Sequence, residues 1–197
     1  LRLGGVTGFW ELDKVWPNSL AVGLAVDPSE PYVTVSGGYL AADVDFGGGP
    51  RDWAGGLDAF VVQYDHSGHY RWDHTWGSAG QDSMNGLAVD ADGNLYGAGA
   101  ISGATDFGGG PRPTAGSTTR YLARFDLAGT YAWDATWGVA SGDFNSGPPA
   151  VGAGLAFFIG SATAAIDADP GAGTLTLLPR GDYDGVLVAL NANTGRF

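Results

Sequence analysis

The 197-residue chain carries 35 Gly, one Met and no Cys, and 9 basic against 21 acidic residues give a net charge of −12. Glycine in a helix interior costs about 1 kcal/mol relative to Ala, so this glycine load argues against a helix bundle. The missing G-X-Y period excludes collagen, and 44% hydrophobic with 12% aromatic residues argues against disorder. Without Cys there are no disulfides, thiolate zinc sites or thiol catalysis. The acidic balance argues against nucleic acid and anionic membrane surfaces as partners.

The chain opens Leu1-Arg2-Leu3-Gly4-Gly5, without Met. It reads as a processed or partial chain, with no signal peptide in the sequence given. The first element expected is a strand over Phe9–Trp16. Gly8-Phe9-Trp10-Glu11-Leu12-Asp13-Lys14-Val15-Trp16 matches Gly129 to Trp137, with Asp13 and Trp16 keeping their places. Pro28-Ser29-Glu30-Pro31 reads as a turn.

Asp45 to Gly77 aligns without gaps on Asp106 to Gly138 at an offset of 61, with 17 of 33 positions identical. The shared residues include DFGGGPR (Asp45–Arg51, Asp106–Arg112), Gly68/Gly129, Tyr70/Tyr131, Trp72/Trp133, Asp73/Asp134 and Trp76/Trp137. In the middle copy, Leu87-Ala88-Val89 is a short apolar strand and Asp90-Ala91-Asp92-Gly93-Asn94 a turn. Leu95 to Gly99 is a second strand, and Asp106 to Thr119 a long Gly/Pro loop. Tyr121 to Phe125 is a third strand, Asp126 to Gly129 a turn, and Tyr131 to Trp137 a fourth. The fourth places Tyr131, Trp133, Ala135 and Trp137 on one face at period two.

Phe144 to Ile166 is the longest uncharged stretch, but Gly147-Pro148-Pro149 breaks it, so no membrane span is expected. Val186 to Asn191 matches Tyr121 to Asp126, and Gly195 then falls on Gly129. The turn glycine recurs at Gly8, Gly68, Gly129 and Gly195, giving units 8–67, 68–128 and 129–194, with 195–197 starting the next. Residues 1–197 thus form one segment of about three units.

Four antiparallel strands repeated every 60 residues predict an all-β fold, a β-propeller of four-stranded antiparallel blades. One blade cannot bury both faces of its sheet, so blades stack. The Trp and Tyr of the fourth strand are expected to fill the space between neighbours.

The order GLAVDADGNLYGAG (Gly86–Gly99), a DF-plus-glycine loop, DAFVVQYDHSGHYRW (Asp58–Trp72) and a closing TWG resembles the bacterial SBBP-type β-propeller repeat. The resemblance covers nearly all the chain. It implies a propeller, usually secreted or surface-attached in bacteria, and brings no activity and no catalytic residues. The first and last copies depart from it where the GN turn is replaced by Pro28–Pro31 and by Gly152-Ala153-Gly154. Leu187 to Phe197, LVALNANTGRF, also resembles the outer-strand motif of quinoprotein-type propellers, but it occurs once and reads as a convergent turn.

Candidate chemistry is sparse. Asp90, Asp92 and Asn94 place oxygens at alternate positions around a glycine, as calcium loops do. The distal Glu of an EF-hand is missing, and Asp and Asn favour such turns unaided. Asp45, Asp106 and Asp167 are equivalent loop carboxylates, with Asp43 and Asp169 beside them. They could ring one face and bind cations or polyols, or each could cap its own glycine turn. Asp182 and Asp184 precede the last strand as Asp58 precedes an earlier one, and would have to pair to act as acid and base. His66, His69 and His74 read as a solvated hairpin. DFGGGP is no phosphate loop, since no helix follows it.

The residues therefore point to a non-enzymatic extracellular or cell-surface repeat module, a scaffold or protein-interaction surface. The alternative is a ligand-binding propeller, calcium-dependent or glycan-binding, using loops on one face. No cofactor is expected beyond that possible calcium. Partners are expected to be proteins, or further blades of the same or another chain. The fourth-strand pattern at Phe9–Trp16 and the end at Arg196-Phe197 look complementary, which would allow homo-oligomers by blade completion.

Overall fold

The computed structural model describes residues 2–5, 8–11, 14–114, 119–138 and 144–197, and for 2–5, 8–11 and 144 the backbone only. The expected positions Leu12 and Asp13 lie outside the described residues. Strands are the regular secondary structure of the described chain, and among the described residues no helix is long and apolar enough to cross a membrane.

β1 (Arg2–Gly5) and β2 (Gly8–Glu11) pair as an antiparallel hairpin. β3 (Ser19–Val26), β4 (Tyr32–Tyr39), β7 (Asp58–Asp65) and β8 (Tyr70–Trp76) form the first antiparallel sheet, in that order. β5 (Val44–Asp45) and β6 (Pro50–Arg51) make a two-residue ladder in the loop between β4 and β7. The second sheet repeats this plan. β9 (Ser83–Val89), β10 (Leu95–Ile101), β13 (Thr119–Phe125) and β14 (Tyr131–Gly138) lie in order, with β11 (Thr105–Asp106) and β12 (Pro111–Arg112) in the corresponding loop.

The third sheet differs at both edges. β15 (Phe144–Ser146) and β16 (Ala150–Gly152) both pair with β17 (Leu155–Ala162), and β20 (Asp184–Asn191) pairs with its other side. β18 (Ile166–Asp167) and β19 (Thr176–Leu177) make its loop ladder. β15 and β16 are one strand position broken at 147–149. Gly147 N still bonds to the Ile159 carbonyl at 3.0 Å, but Pro148 and Pro149 have no N–H to donate to a ladder. Among the described residues β20 has no strand on its outer edge, where β7 and β13 have β8 and β14.

Two elements depart from the sequence expectation. Of the strand expected over Phe9–Trp16, Phe9 to Glu11 lie in β2, and Lys14 to Trp16 run outside any strand. Trp16 nonetheless lies on the first sheet. The Gly/Pro loops expected to be irregular contain the small ladders of β5/β6, β11/β12 and β18/β19.

The sheets are layered face to face, so β7 is buried along nearly its whole length and β10 along all of it. This explains their near-continuous apolar or small composition, since neither face meets water. One core lies between the first and second sheets, joining Ala59, Val61 and Trp76 to Met84, Leu95, Tyr121 and Phe125. A second lies between the second and third, joining Leu122, Trp133 and Trp137 to Phe158, Val188 and Leu190. The first strands of successive sheets approach closely: a Cβ added at Gly86 would lie 3.6 Å or less from three Pro148 atoms, the nearest at 2.6 Å.

Candidate functional site

The repeated chemistry of this molecule sits where one sheet meets the next. In β8, Tyr70, Trp72, His74 and Trp76 alternate with residues of the other face. Trp76 meets Phe107 at 5.5 Å, Tyr121 at 6.0 Å and Phe125 at 6.2 Å between ring centres. One unit earlier, Trp16 meets Phe46 at 5.7 Å, Phe60 at 5.9 Å and Tyr64 at 6.0 Å. Every partner is displaced by 61. Trp137, at the same place in β14, meets different partners: its ring lies tilted against Phe158 at 4.5 Å and its Nε1 donates to the Ala168 carbonyl at 3.1 Å. Ala168 stands where Phe107 stands one unit earlier.

The other Trp of the fourth strand reaches the hairpin turn of the next sheet. Trp72 Nε1 donates to the Leu127 carbonyl at 3.3 Å, and Trp133 Nε1 to the Ala192 carbonyl at 3.0 Å. The turn glycines are the seats of these rings. A Cβ added at Gly129 would lie 2.6 Å from Trp72 Cδ2, and one at Gly195 2.6 Å from Trp133 Cδ2. Both have positive φ, +83° and +67°, so glycine is required there by conformation and by space.

DFGGGPR is explained as a unit. Asp45 Oδ1 accepts from Gly47 N at 2.7 Å and Gly49 N at 2.9 Å; Asp106 Oδ1 accepts from Gly108 N and Gly110 N at the same two distances. Those four glycines all have positive φ. The capped turn lays Phe46 on Phe60 at 4.6 Å and Phe107 on Tyr121 at 4.7 Å, as padding between sheets. The closing arginine clamps the loop to the fourth strand. Arg51 Nε and Nη2 bond to the two oxygens of Asp73 at 2.8 and 2.6 Å, and Tyr70 Oη donates to Asp73 Oδ1 at 2.8 Å. Arg112 Nε meets Asp134 Oδ2 at 2.7 Å, with Tyr131 Oη on Oδ1 at 2.7 Å. The Asp73 hydrogen bond holds Arg51 firmly charged, and the Asp134 hydrogen bond does the same for Arg112.

The remaining acidic residues mostly serve the backbone. Asp167 Oδ1 accepts from Asp169 N and Leu175 N, and Asp169 Oδ1 from Gly171 N. Asp43 sits in a turn at φ 67°. Asp90 Oδ1 accepts from Asp92 N at 3.0 Å and Asn94 N at 2.9 Å, and Oδ2 from Asn94 Nδ2 at 2.9 Å and Tyr96 Oη at 3.0 Å. Burial opposes the Asp90 charge, but the Asn94, Tyr96 and Asp92 donors outweigh it and hold the carboxyl below its ordinary value. In the first unit Asp27 takes this role, its Oδ1 accepting from Ser29 N and Glu30 N. Asp184 Oδ2 accepts from Arg180 N and Gly181 N, closing its loop; no bond links it to Asp182.

Asp58 differs. It is buried, Oδ2 accepts from Ala54 N at 2.7 Å and Oδ1 has no partner. Burial pushes its carboxyl up, the Ala54 N–H pulls it down and the Asp82 charge adds to the rise. Asp82 is fully satisfied by Ser78 N, Ser78 Oγ and Ser102 N, each at 2.7 Å. Among the described residues no three of His, Asp and Glu come together in a way that could hold a metal.

His69 is exposed and rests on Asp65, as a solvated hairpin requires. His74 corrects that reading. It lies in β8 at the junction, its ring 5.1 Å from Phe125 and its Nε2 donating to the Gly129 carbonyl. Period-two alternation with Trp72 and Trp76 was the signal that could have placed it there.

Two clefts open beside these junctions. A groove of about 560 Å³ runs between β8 and the second sheet's loop, lined by His74, Thr75, Asp106, Gly108, Thr130 and Tyr131. A second, of about 440 Å³, is lined by Asp90, Asp92, Ala153 and Asn193. Neither a family model nor a curated protein matches the chain.

Proposed function

We propose that the stacked sheets are blades of a β-propeller, and that the chain is a non-enzymatic scaffold or protein-interaction module of a secreted or surface-attached bacterial protein. The observation that carries this reading is the junction itself. Trp16 and Trp76 repeat one contact, Trp137 holds the same strand position against the third sheet, and Trp72 and Trp133 repeat another, while Arg51/Asp73 and Arg112/Asp134 repeat one clamp inside their own units. Aromatic residues that would otherwise suggest a site are used to join sheets, and the charged pairs hold each loop to the fourth strand of its own sheet. Equipment spread evenly over the units fits assembly better than a reaction at one point. Small-angle scattering tests the geometry: the sheets should follow an arc about the first strands, and a flat linear stack would overturn the propeller. Thermal unfolding with millimolar calcium should leave the melting temperature unchanged, and a rise would favour a metal-dependent role.

The groove at the first junction favours a second reading, a ligand-binding propeller. It joins an imidazole, hydroxyls, a carboxylate and a tyrosine ring, a set suited to polyols such as glycans. Calorimetric titration with a panel of oligosaccharides tests it. Saturable heat that disappears in Asp106→Ala would replace the scaffold reading.

A further inference from the structure

The two ends of the sheet stack leave open the two halves of a junction that the chain builds twice internally. On the first sheet, Leu24 and Val26 of β3 are 60% and 61% exposed. Ladder register makes them equivalent to Leu87 and Val89 of β9. Leu87 is 8% exposed and Val89 is partly buried, both against the first sheet's Ala59 and Val61. On the third sheet, Ile159 and Leu187 are 43% and 64% exposed. They are equivalent to Ala98 and Leu122 of the second sheet, which are fully buried against the third.

The same positions are thus covered wherever a neighbouring sheet exists and bare where none does. The first sheet shows a face built to receive the back of a sheet, and the third shows the back of a sheet. Trp16 already covers the outer half of the first sheet's face, through Phe46, Phe60 and Tyr64. That leaves the inner strand β3 as the vacant part. Exposed apolar stripes of this kind mark association surfaces.

We infer that a second copy of this chain docks head to tail, the Leu187 face of one copy on the Leu24 face of the next. This rests on the stacked-blade reading above and names the partner of that scaffold. The interface is heterologous, so it uses a different surface on each copy and can close into a ring or continue as a fibre. A face-to-face dimer would instead place like on like, which neither internal junction does.

Sedimentation velocity over a concentration series of the whole chain tests this, with Leu24→Asp and Leu187→Asp as probes. Both side chains are exposed in the single copy, so neither change should disturb folding. The unaltered chain should show a mass that rises with concentration. Each variant alone should weaken association at least tenfold, because every head-to-tail contact then contains one charged face. A mixture of the two variants has one intact face on each partner, and should recover dimers but nothing larger. A folded monomer at all concentrations, or a mixture that stays monomeric, overturns the inference. So does a Leu24→Asp chain that still dimerises alone. Circular dichroism and denaturation of Trp137→Ala separate this from failure of the stacked-blade reading. A stable β fold that is indifferent to losing Trp137 would sink that reading, whereas a folded, Trp137-dependent monomer would sink only the docking.

Discussion

Trp137 packs the second sheet against the third. Its side chain is 2% exposed, packs at 4.5 Å on Phe158 and donates to the Ala168 carbonyl at 3.1 Å. Replacing it with Ala exposes or empties the space of a large aromatic ring, which buries about 150–250 Å². At about 25 cal/mol per Å² that is roughly 4–6 kcal/mol, and core Trp→Ala changes cost about 3–5 kcal/mol in practice. Trp137→Phe keeps most of the ring but leaves the Ala168 carbonyl without its donor, for about 1–3 kcal/mol. Urea denaturation followed by far-UV circular dichroism measures both. Trp53→Ala is the control, since Trp53 is 43% exposed and bonds only within its own loop, to the Gly56 carbonyl. It should cost less than about 1 kcal/mol. If Trp137→Ala costs no more than Trp53→Ala, the sheets are not held together by the fourth-strand tryptophans.

Gly129→Ala should destabilise more than Gly110→Ala. Both glycines have positive φ, but a Cβ at Gly110 meets nothing within 4 Å while one at Gly129 strikes Trp72. The strain alone costs about 1–2 kcal/mol, so melting temperatures that fall equally would refute the seat. Arg112→Ala should cost about 1.5–3 kcal/mol, as expected for a hydrogen bond to a charged group. A double-mutant cycle with Asp134→Ala should show positive coupling, and additive losses would mean the clamp contributes nothing. Asp58 and Asp90 predict opposite pH behaviour. The Asp58 carboxyl is raised in the folded chain, so its contribution is full below the ordinary value of 3.8 and is lost as pH rises through the folded value. The Asp90 carboxyl is lowered, so its contribution is present above 3.8 and is lost as pH falls through the folded value. At pH 7, Asp58→Asn should therefore be neutral or stabilising and Asp90→Asn destabilising; the reverse order would contradict both environments.

The strand plan of the middle unit was legible in the sequence because its strands obey local rules. Asp126 to Gly129 is a turn by composition, and Tyr131, Trp133, Ala135 and Trp137 share a face by period two alone. The caps of Asp45 and Asp106 were legible for the same reason, since the carboxylate and the glycines it binds lie within four residues. For His74 the face was legible from its alternation with Trp72 and Trp76, but its partners were not, since Phe125 and Gly129 are more than 50 residues away. Nor was the role of the arginine closing DFGGGPR, because Asp73 and Asp134 lie 22 residues beyond it, on another strand. That Lys14 to Trp16 run outside any strand was also hidden, as pattern carries no information on where pairing stops.

By itself the sequence determined that this chain is a glycine-rich all-β repeat with turns at Gly68, Gly129 and Gly195, because alternation and turn chemistry act between near neighbours. Only the tertiary structure decided what the repeated residues are for. Trp72 and Trp133 sit on the turn glycine of the following unit, and Phe46 and Phe107 pad the face that a preceding Trp covers. These are contacts between units, made by side chains about 30 to 60 residues apart. They depend on how one sheet lies against the next, which no local pattern specifies.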